Sequence, residues 1–145
     1  MDSTASLERV TSPSLPSPVG PYSPGIAFGD LIFVSGQSGR EPHTGRVADG
    51  VEAQTEQALK NVAAVLEAAG SSLSRVIRCG VFLIDMAEFA AMNAVYARMF
   101  GDHRPARTTV AVSDLPGPGL RVEIDAIAVR GALTPASSSR DSSKT

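Results

Sequence analysis

Apolar residues gather at positions 26–28 and again at 31–34, and only Gly29 and Asp30 stand between the two runs. Short β-prone runs joined by such a pair read as a tight hairpin. The period then changes. From 54 to 69 the apolar positions are Ala58, Leu59, Val62, Ala63, Leu66 and Ala69, the spacing of one helical face, and Gly70 stands where a left-handed cap would close the helix. Residues 75–84 are rich in β-branched side chains and, from Cys79 onward, apolar on both faces, which predicts a strand buried between layers. A second helix is expected from Asp85, a suitable N-cap with Glu88 three residues on, to Gly101, with an apolar stripe of Phe89, Met92, Tyr96, Met99 and Phe100. Two last strands, 107–112 and 121–129, flank a turn-rich linker that holds Pro116, Gly117, Pro118 and Gly119.

The resulting order, ββαβαββ, is that of an α+β domain. A mixed sheet carries both helices on one face, because two helices cannot cover a sheet of this many strands on both sides. The second face is left in need of a cover, and a symmetric homo-oligomer is the commonest way to supply one. Residues 1–16, and residues 133–145 with the run Ser137, Ser138, Ser139, are too polar to offset their ordering entropy. They are expected as tails around a domain of residues 17–132.

A chain of 145 residues can bury one ordinary core without disulfides or a structural metal. Its net charge of −2 gives no sustained basic field, so nucleic acid is not an expected partner. The single cysteine, Cys79, lies among apolar neighbours and reads as a buried thiol in a reducing compartment. Residues 1–18 lack the apolar core of a secretory signal, and no stretch reaches the roughly 18 apolar residues of a membrane span. A cytoplasmic location, with no membrane partner, is the expectation.

Candidate chemistry centres on two charged residues. Arg107 opens a strand otherwise made of Thr, Val and Ala, so its planar fork is free to clamp a substrate carboxylate or to pair with Glu123 or Asp125 on a neighbouring strand. Glu123 and Asp125 alternate onto one face of the last strand. A carboxylate there is either a solvated face or, in a partly desolvated cleft, a general base toward water. Thr109 shares the face of Arg107, although Thr is also a plain β-former. Tyr22, held in the extended segment Gly20-Pro21-Tyr22-Ser23-Pro24, caps a site or packs. Asn93 interrupts the second helix near its apolar stripe and needs partners, structural or ligand-borne. Ser35 and Gly36 end a strand where backbone can approach a ligand. His43 and His103 have no companions at metal-ligand spacing, and the sequence shows no phosphate loop, nucleophile elbow or CxxC pair, so neither metal nor cofactor is expected.

Taken together, these positions resemble the reactive intermediate deaminase A family (RidA/YjgF) over residues 18–131. The matching stretches are Gly20-Pro21-Tyr22-Ser23, Val34-Ser35-Gly36-Gln37, Asn61-Val62 leading to Leu66-Glu67-Ala68-Ala69-Gly70, Asn93-Ala94-Val95-Tyr96, Pro105-Ala106-Arg107 and Val122-Glu123-Ile124-Asp125-Ala126-Ile127-Ala128. The resemblance implies a chorismate-mutase-like homotrimer with sites in the clefts between subunits. It also implies hydrolysis of 2-imino acids such as 2-iminopropanoate and 2-iminobutanoate, or their enamine tautomers, to 2-oxo acids and ammonia. Arg107 would hold the substrate carboxylate and Glu123 would position and deprotonate the attacking water. Tyr22, Ser35, Gly36, Asn93 and Thr109 would shape the pocket.

Two departures bear on substrate choice. Thr109 stands where many members have Cys, and Ser38-Gly39-Arg40 replaces more apolar residues. An enzyme of the same fold acting on another small imine, enamine or acrylate-derived acid is therefore an alternative, as is a nonenzymatic small-acid-binding or chaperone-like trimer. RNA cleavage has also been associated with the family, and the acidic pI near 5.6 argues against it here.

Overall fold

A computed structural model describes residues 5–15 and 17–134. Along the chain run β1 (Leu7–Val10), β2 (Gly25–Phe28), β3 (Leu31–Ser38), α1 (Gly50–Ala68), β4 (Val76–Leu83), α2 (Phe89–Phe100), β5 (Ala106–Ala111) and β6 (Val122–Val129), with short 3-10 turns at Leu73–Arg75 and Met86–Glu88. The strands form one mixed sheet in the order β1-β2-β3-β6-β4-β5. Neighbours are antiparallel except β4 and β5, which lie parallel because α2 returns the chain between them.

Local chemistry accounts for most of the expected elements. Gly29 adopts φ 58° in the β2–β3 hairpin and Gly70 adopts φ 83° after α1, conformations that a side chain resists. Helix α1 begins about a turn before its apolar stripe because the polar residues of that turn are also buried: Thr55 Oγ1 donates to Val51 O at 2.7 Å, and Gln54 is bonded at both ends of its amide. Before α2, Asp85 accepts from the Ala87 N–H as expected, but Glu88 does not complete a capping box. Its carboxylate instead takes the guanidinium of Arg121, whose Nε lies 2.7 Å away, and the helix proper starts at Phe89.

Part of the expected N-terminal tail is a strand. Residues Leu7 to Val10 pair with Phe28 to Gly25, Val10 is buried, and Glu8 meets Arg130 Nη2 at 2.9 Å. Sequence pattern missed β1 because only one of its side chains reaches the core; backbone pairing, which carries no residue signature, holds the rest. Of the expected C-terminal tail, residues 135–145 lie outside those described.

Strand β3 runs through Ser35 and Gly36 instead of ending there. Val34 pairs with Ala126 and Gln37 with Ile124, so β3 spends one more residue than β6 over this interval and bulges.

Both helices pack on one face of the sheet. Leu59, Val62 and Leu66 of α1 and Met92 and Phe100 of α2 share a continuous core with Ile32, Val34, Val81 and Ile124. Among the described residues no layer covers the opposite face, where Phe28, Leu31, Phe33 and Ile77 are exposed. No helix is long and apolar enough to cross a membrane among the described residues.

Candidate active site

Strand register decides where the two principal candidates point. Arg107 is level with Cys79 of β4, and Cys79 is level with Ala126 of β6; both neighbours are buried on the helix face. Glu123 is level with Phe82 of β4 and Ser38 of β3, one residue out of phase with the buried set. Arg107 therefore faces the helices, and Glu123 faces the uncovered side, with β4 between their strands. The expected option of an ion pair across adjacent strands is overturned, since β5 and β6 are not adjacent. One chain does not bring Arg107 and Glu123 to a common point.

Arg107 sits over two aromatic rings of α2. Its guanidinium carbon lies 4.7 Å from the Tyr96 centroid and 5.6 Å from that of Phe89. Among the described residues it forms no ion pair, so its N–H donors remain available. Around it is a groove of about 340 Å³ lined also by Asn93, Ala97, Arg104 and Pro105. Asn93 Oδ1 is buried there without a hydrogen-bond partner, as is the Tyr96 hydroxyl. The Cys79 thiol faces that hydroxyl without an ordinary hydrogen-bond geometry. Burial first, and then this neighbour, raise the phenol well above its usual range; burial likewise raises the thiol. Thr109, two residues beyond Arg107 on the same face, is half-buried.

Glu123 occupies a smaller recess of about 70 Å³ shared with Tyr22, Gly36, Ser38 and Arg40. Gly36 is required by contact: a β-carbon there would stand 2.0 Å from Glu123 Oε1. The bulge thus brings a side-chain-free stretch of β3 against the carboxylate. Burial, and then the charge of Asp125, raise the Glu123 pKa above its ordinary value. Asp125 itself is committed elsewhere, accepting from the Gly80 N–H at 2.7 Å and lying 3.9 Å from Arg78. The two carboxylates on one strand face thus have different environments: Asp125 is held by a backbone N–H, and Glu123 stands in the recess.

Of the other expected site residues, Tyr22 is 45% exposed and stands at the recess with its hydroxyl 3.4 Å from the Val19 N–H. Ser35 serves structure more than opening: its hydroxyl donates to Ser23 O at 2.6 Å and ties the Pro-rich segment bearing Tyr22 to the bulge. Three further residues, none of them among the expected site residues, belong to the surroundings of Glu123. Arg40 enters the recess from the loop after β3. Asn61, fully inside α1, donates to Ser38 O at 3.1 Å and Arg40 O at 2.9 Å and so fixes that loop. Gln54 holds Gly119 O and the Arg121 N–H, positioning Leu120 beside Glu123. An amide in the apolar register of a helix was the available signal for both.

Known proteins resemble this chain in sequence and in fold. A RutC family protein of Pyrococcus horikoshii is 47% identical over 124 residues, covering 85% of this chain and 98% of that protein. The 2-iminobutanoate/2-iminopropanoate deaminase of Salmonella typhimurium is 40% identical over 126 residues, covering 85% and 98%. The crystal structure of E. coli TdcF with bound serine superposes with a TM-score of 0.81 at 37% identity, covering 86% of this chain and 99% of that one. The profile of the family described as Endoribonuclease L-PSP matches residues 12–130, a span that includes Arg107 and Glu123, and the chain belongs to that family, which includes RutC, YjgF and RidA.

Proposed function

We propose that this protein hydrolyses 2-imino acids and their enamine tautomers to 2-oxo acids and ammonia, at sites where the Arg107 face of one copy meets the Glu123 face of another. What carries the reading is one observation: an arginine with no carboxylate partner among the described residues and a glutamate with a raised pKa lie on opposite faces of the same sheet. Relatives named for this activity, and a structural neighbour solved with a small amino acid bound, support the substrate class. The exposed apolar residues of the open face support assembly, and the proposal takes the chorismate-mutase-like homotrimer implied by the sequence resemblance. A cytoplasmic setting, in which the Cys79 thiol stays reduced, completes the proposal.

The chemistry needs no covalent nucleophile, because a protonated imine carbon is already electrophilic. Arg107 takes the substrate carboxylate in a bidentate grip. Water adds its oxygen to C2 while Glu123 accepts one of its protons, giving a carbinolamine. Glu123 then returns the proton to nitrogen. The C–N bond breaks, its electron pair leaves with ammonia, and the remaining hydroxyl becomes the carbonyl as its proton passes to the departing ammonia. A base with a pKa above the usual carboxylate range suits both transfers. Tyr22 and Gly36 bound the reacting carbon on one side, with Asn93 and Thr109 on the other.

The test generates 2-iminopropanoate and 2-iminobutanoate in situ with an amino-acid oxidase and follows imine loss near neutral pH. Wild-type acceleration that collapses in Arg107→Ala and in Glu123→Gln is the expected result. Spontaneous rates with correctly assembled wild-type protein would refute the proposal.

A further inference from the structure

We infer that Arg40 is a specificity residue that selects substrates carrying a second carboxylate at the end of a short side chain. The inference rests on the hydrolase reading of the site and adds the chemical class of the substrate.

The recess that holds Glu123 also holds Arg40, and no ion pair joins the two among the described residues. They are thus separate charges around one small space. If a substrate carboxylate is on Arg107 and the imine carbon is at Glu123, the recess beyond Glu123 is where the side chain of the substrate goes. Glu123 alone would repel an anionic side chain from that space. Arg40 reverses the sign at its far end.

Arg40 is also built as a binding arm. Its backbone is fixed by Asn61, which donates to its carbonyl at 2.9 Å, and by a bridge to Val47. Its Nη1 donates to Gly45 O at 3.0 Å, which sets the plane of the guanidinium. Among the described residues that leaves Nε and Nη2 without partners, the side-on fork that grips a carboxylate with two parallel hydrogen bonds. Opposite, Gly117 leaves room for the head group, since a β-carbon there would lie 3.1 Å from Nη2. A preorganised, half-buried fork with one anchored nitrogen and two free ones is poorly explained as a loop strut, for which the Gly45 contact would suffice.

The experiment compares kcat/KM for 2-iminosuccinate, made in situ from aspartate, with that for 2-iminobutanoate, in wild-type, Arg40→Met and Arg40→Gln proteins. In parallel, oxaloacetate and 2-oxobutanoate are titrated calorimetrically as products. The wild-type protein is expected to favour the dicarboxylic imine, and both variants to lower that preference roughly 10- to 100-fold, the range for losing a charged hydrogen-bonded pair. The affinity ratio of the two products should fall in step. A ratio unchanged by the substitutions, or equal losses for both substrates, would overturn the inference. Should wild-type protein accelerate neither imine, the hydrolase reading fails by itself, and the product titrations still decide whether Arg40 recognises a second carboxylate.

Discussion

The guanidinium carbon of Arg107 lies 4.7 Å from the Tyr96 ring centroid, while the Phe89 ring stands 5.6 Å away on the same helix. A cation so held keeps its orientation without spending a hydrogen bond. Replacing Phe89 by Leu should therefore weaken carboxylate binding, raising KM roughly 3- to 10-fold for loss of about 1 kcal/mol, with kcat little changed. Tyr96→Phe keeps the ring and removes a buried hydroxyl that has no partner. It should leave KM near wild type and raise stability by about 1 kcal/mol in urea titrations. A rise in KM for Tyr96→Phe as large as for Phe89→Leu would argue against the ring contact.

Much of this could be read from the chain itself. Period and caps located both helices and the hairpin around Gly29, and the alternation from Val122 to Ile127 placed Glu123 apart from the buried positions. What pattern could not supply was long-range pairing. The insertion of β4 between β5 and β6 separates Arg107 from Glu123, the strand registers turn them to opposite faces, and no local signal specifies either. The same holds for β1, whose partners lie some way along the chain, and for the bulge at Ser35 and Gly36, which appears only when β3 is counted against β6. Arg40 was visible as a departure and Glu123 as a candidate, but not that the two share one recess.

Glu123 also makes a statement about pH. Its folded pKa is raised, so the folded state holds the proton more tightly than the unfolded chain across the window from the ordinary value of 4.5 up to the raised one. Stability is therefore lost as pH rises through that window. Glu123→Gln removes the liability: the variant should unfold at higher denaturant than wild type at neutral pH and match it below the ordinary value. Its turnover should fall by roughly 10²- to 10⁴-fold. The acid limb of the wild-type rate profile should lie above the usual carboxylate range.

Gln54 ties three backbone groups with one amide: Ala48 O at 3.0 Å, Gly119 O at 2.9 Å and the Arg121 N–H at 2.7 Å. Gln54→Leu fills similar space and leaves all three unpaired. A loss of about 2–4 kcal/mol is expected from chemical denaturation. Amide exchange should quicken first around Leu120, loosening the wall beside Glu123.

Mixing tests the placement of the half-sites. Arg107→Ala and Glu123→Gln proteins, each inactive, should regain activity when unfolded and reassembled together. Random assortment gives roughly one site in four both native residues. No recovery from mixed assemblies of native size would mean that each site draws both residues from one chain.

The extra residue in β3 works on the strand as a frameshift works on a message. Up to Val34 the even-numbered side chains are turned to the core; past the bulge Gln37 turns inward and Ser38 looks out beside Glu123. Deleting Ser35 or Gly36 would restore the pleat's parity without disturbing Ile32 or Val34. Gln37 would still turn inward and Ser38 would still lie beside Glu123, but the strand would lose the extra residue by which it swells against that carboxylate. A more regular sheet would then be a flatter one, and the shape of the recess beside Glu123 rests on a single residue that the strand holds in excess.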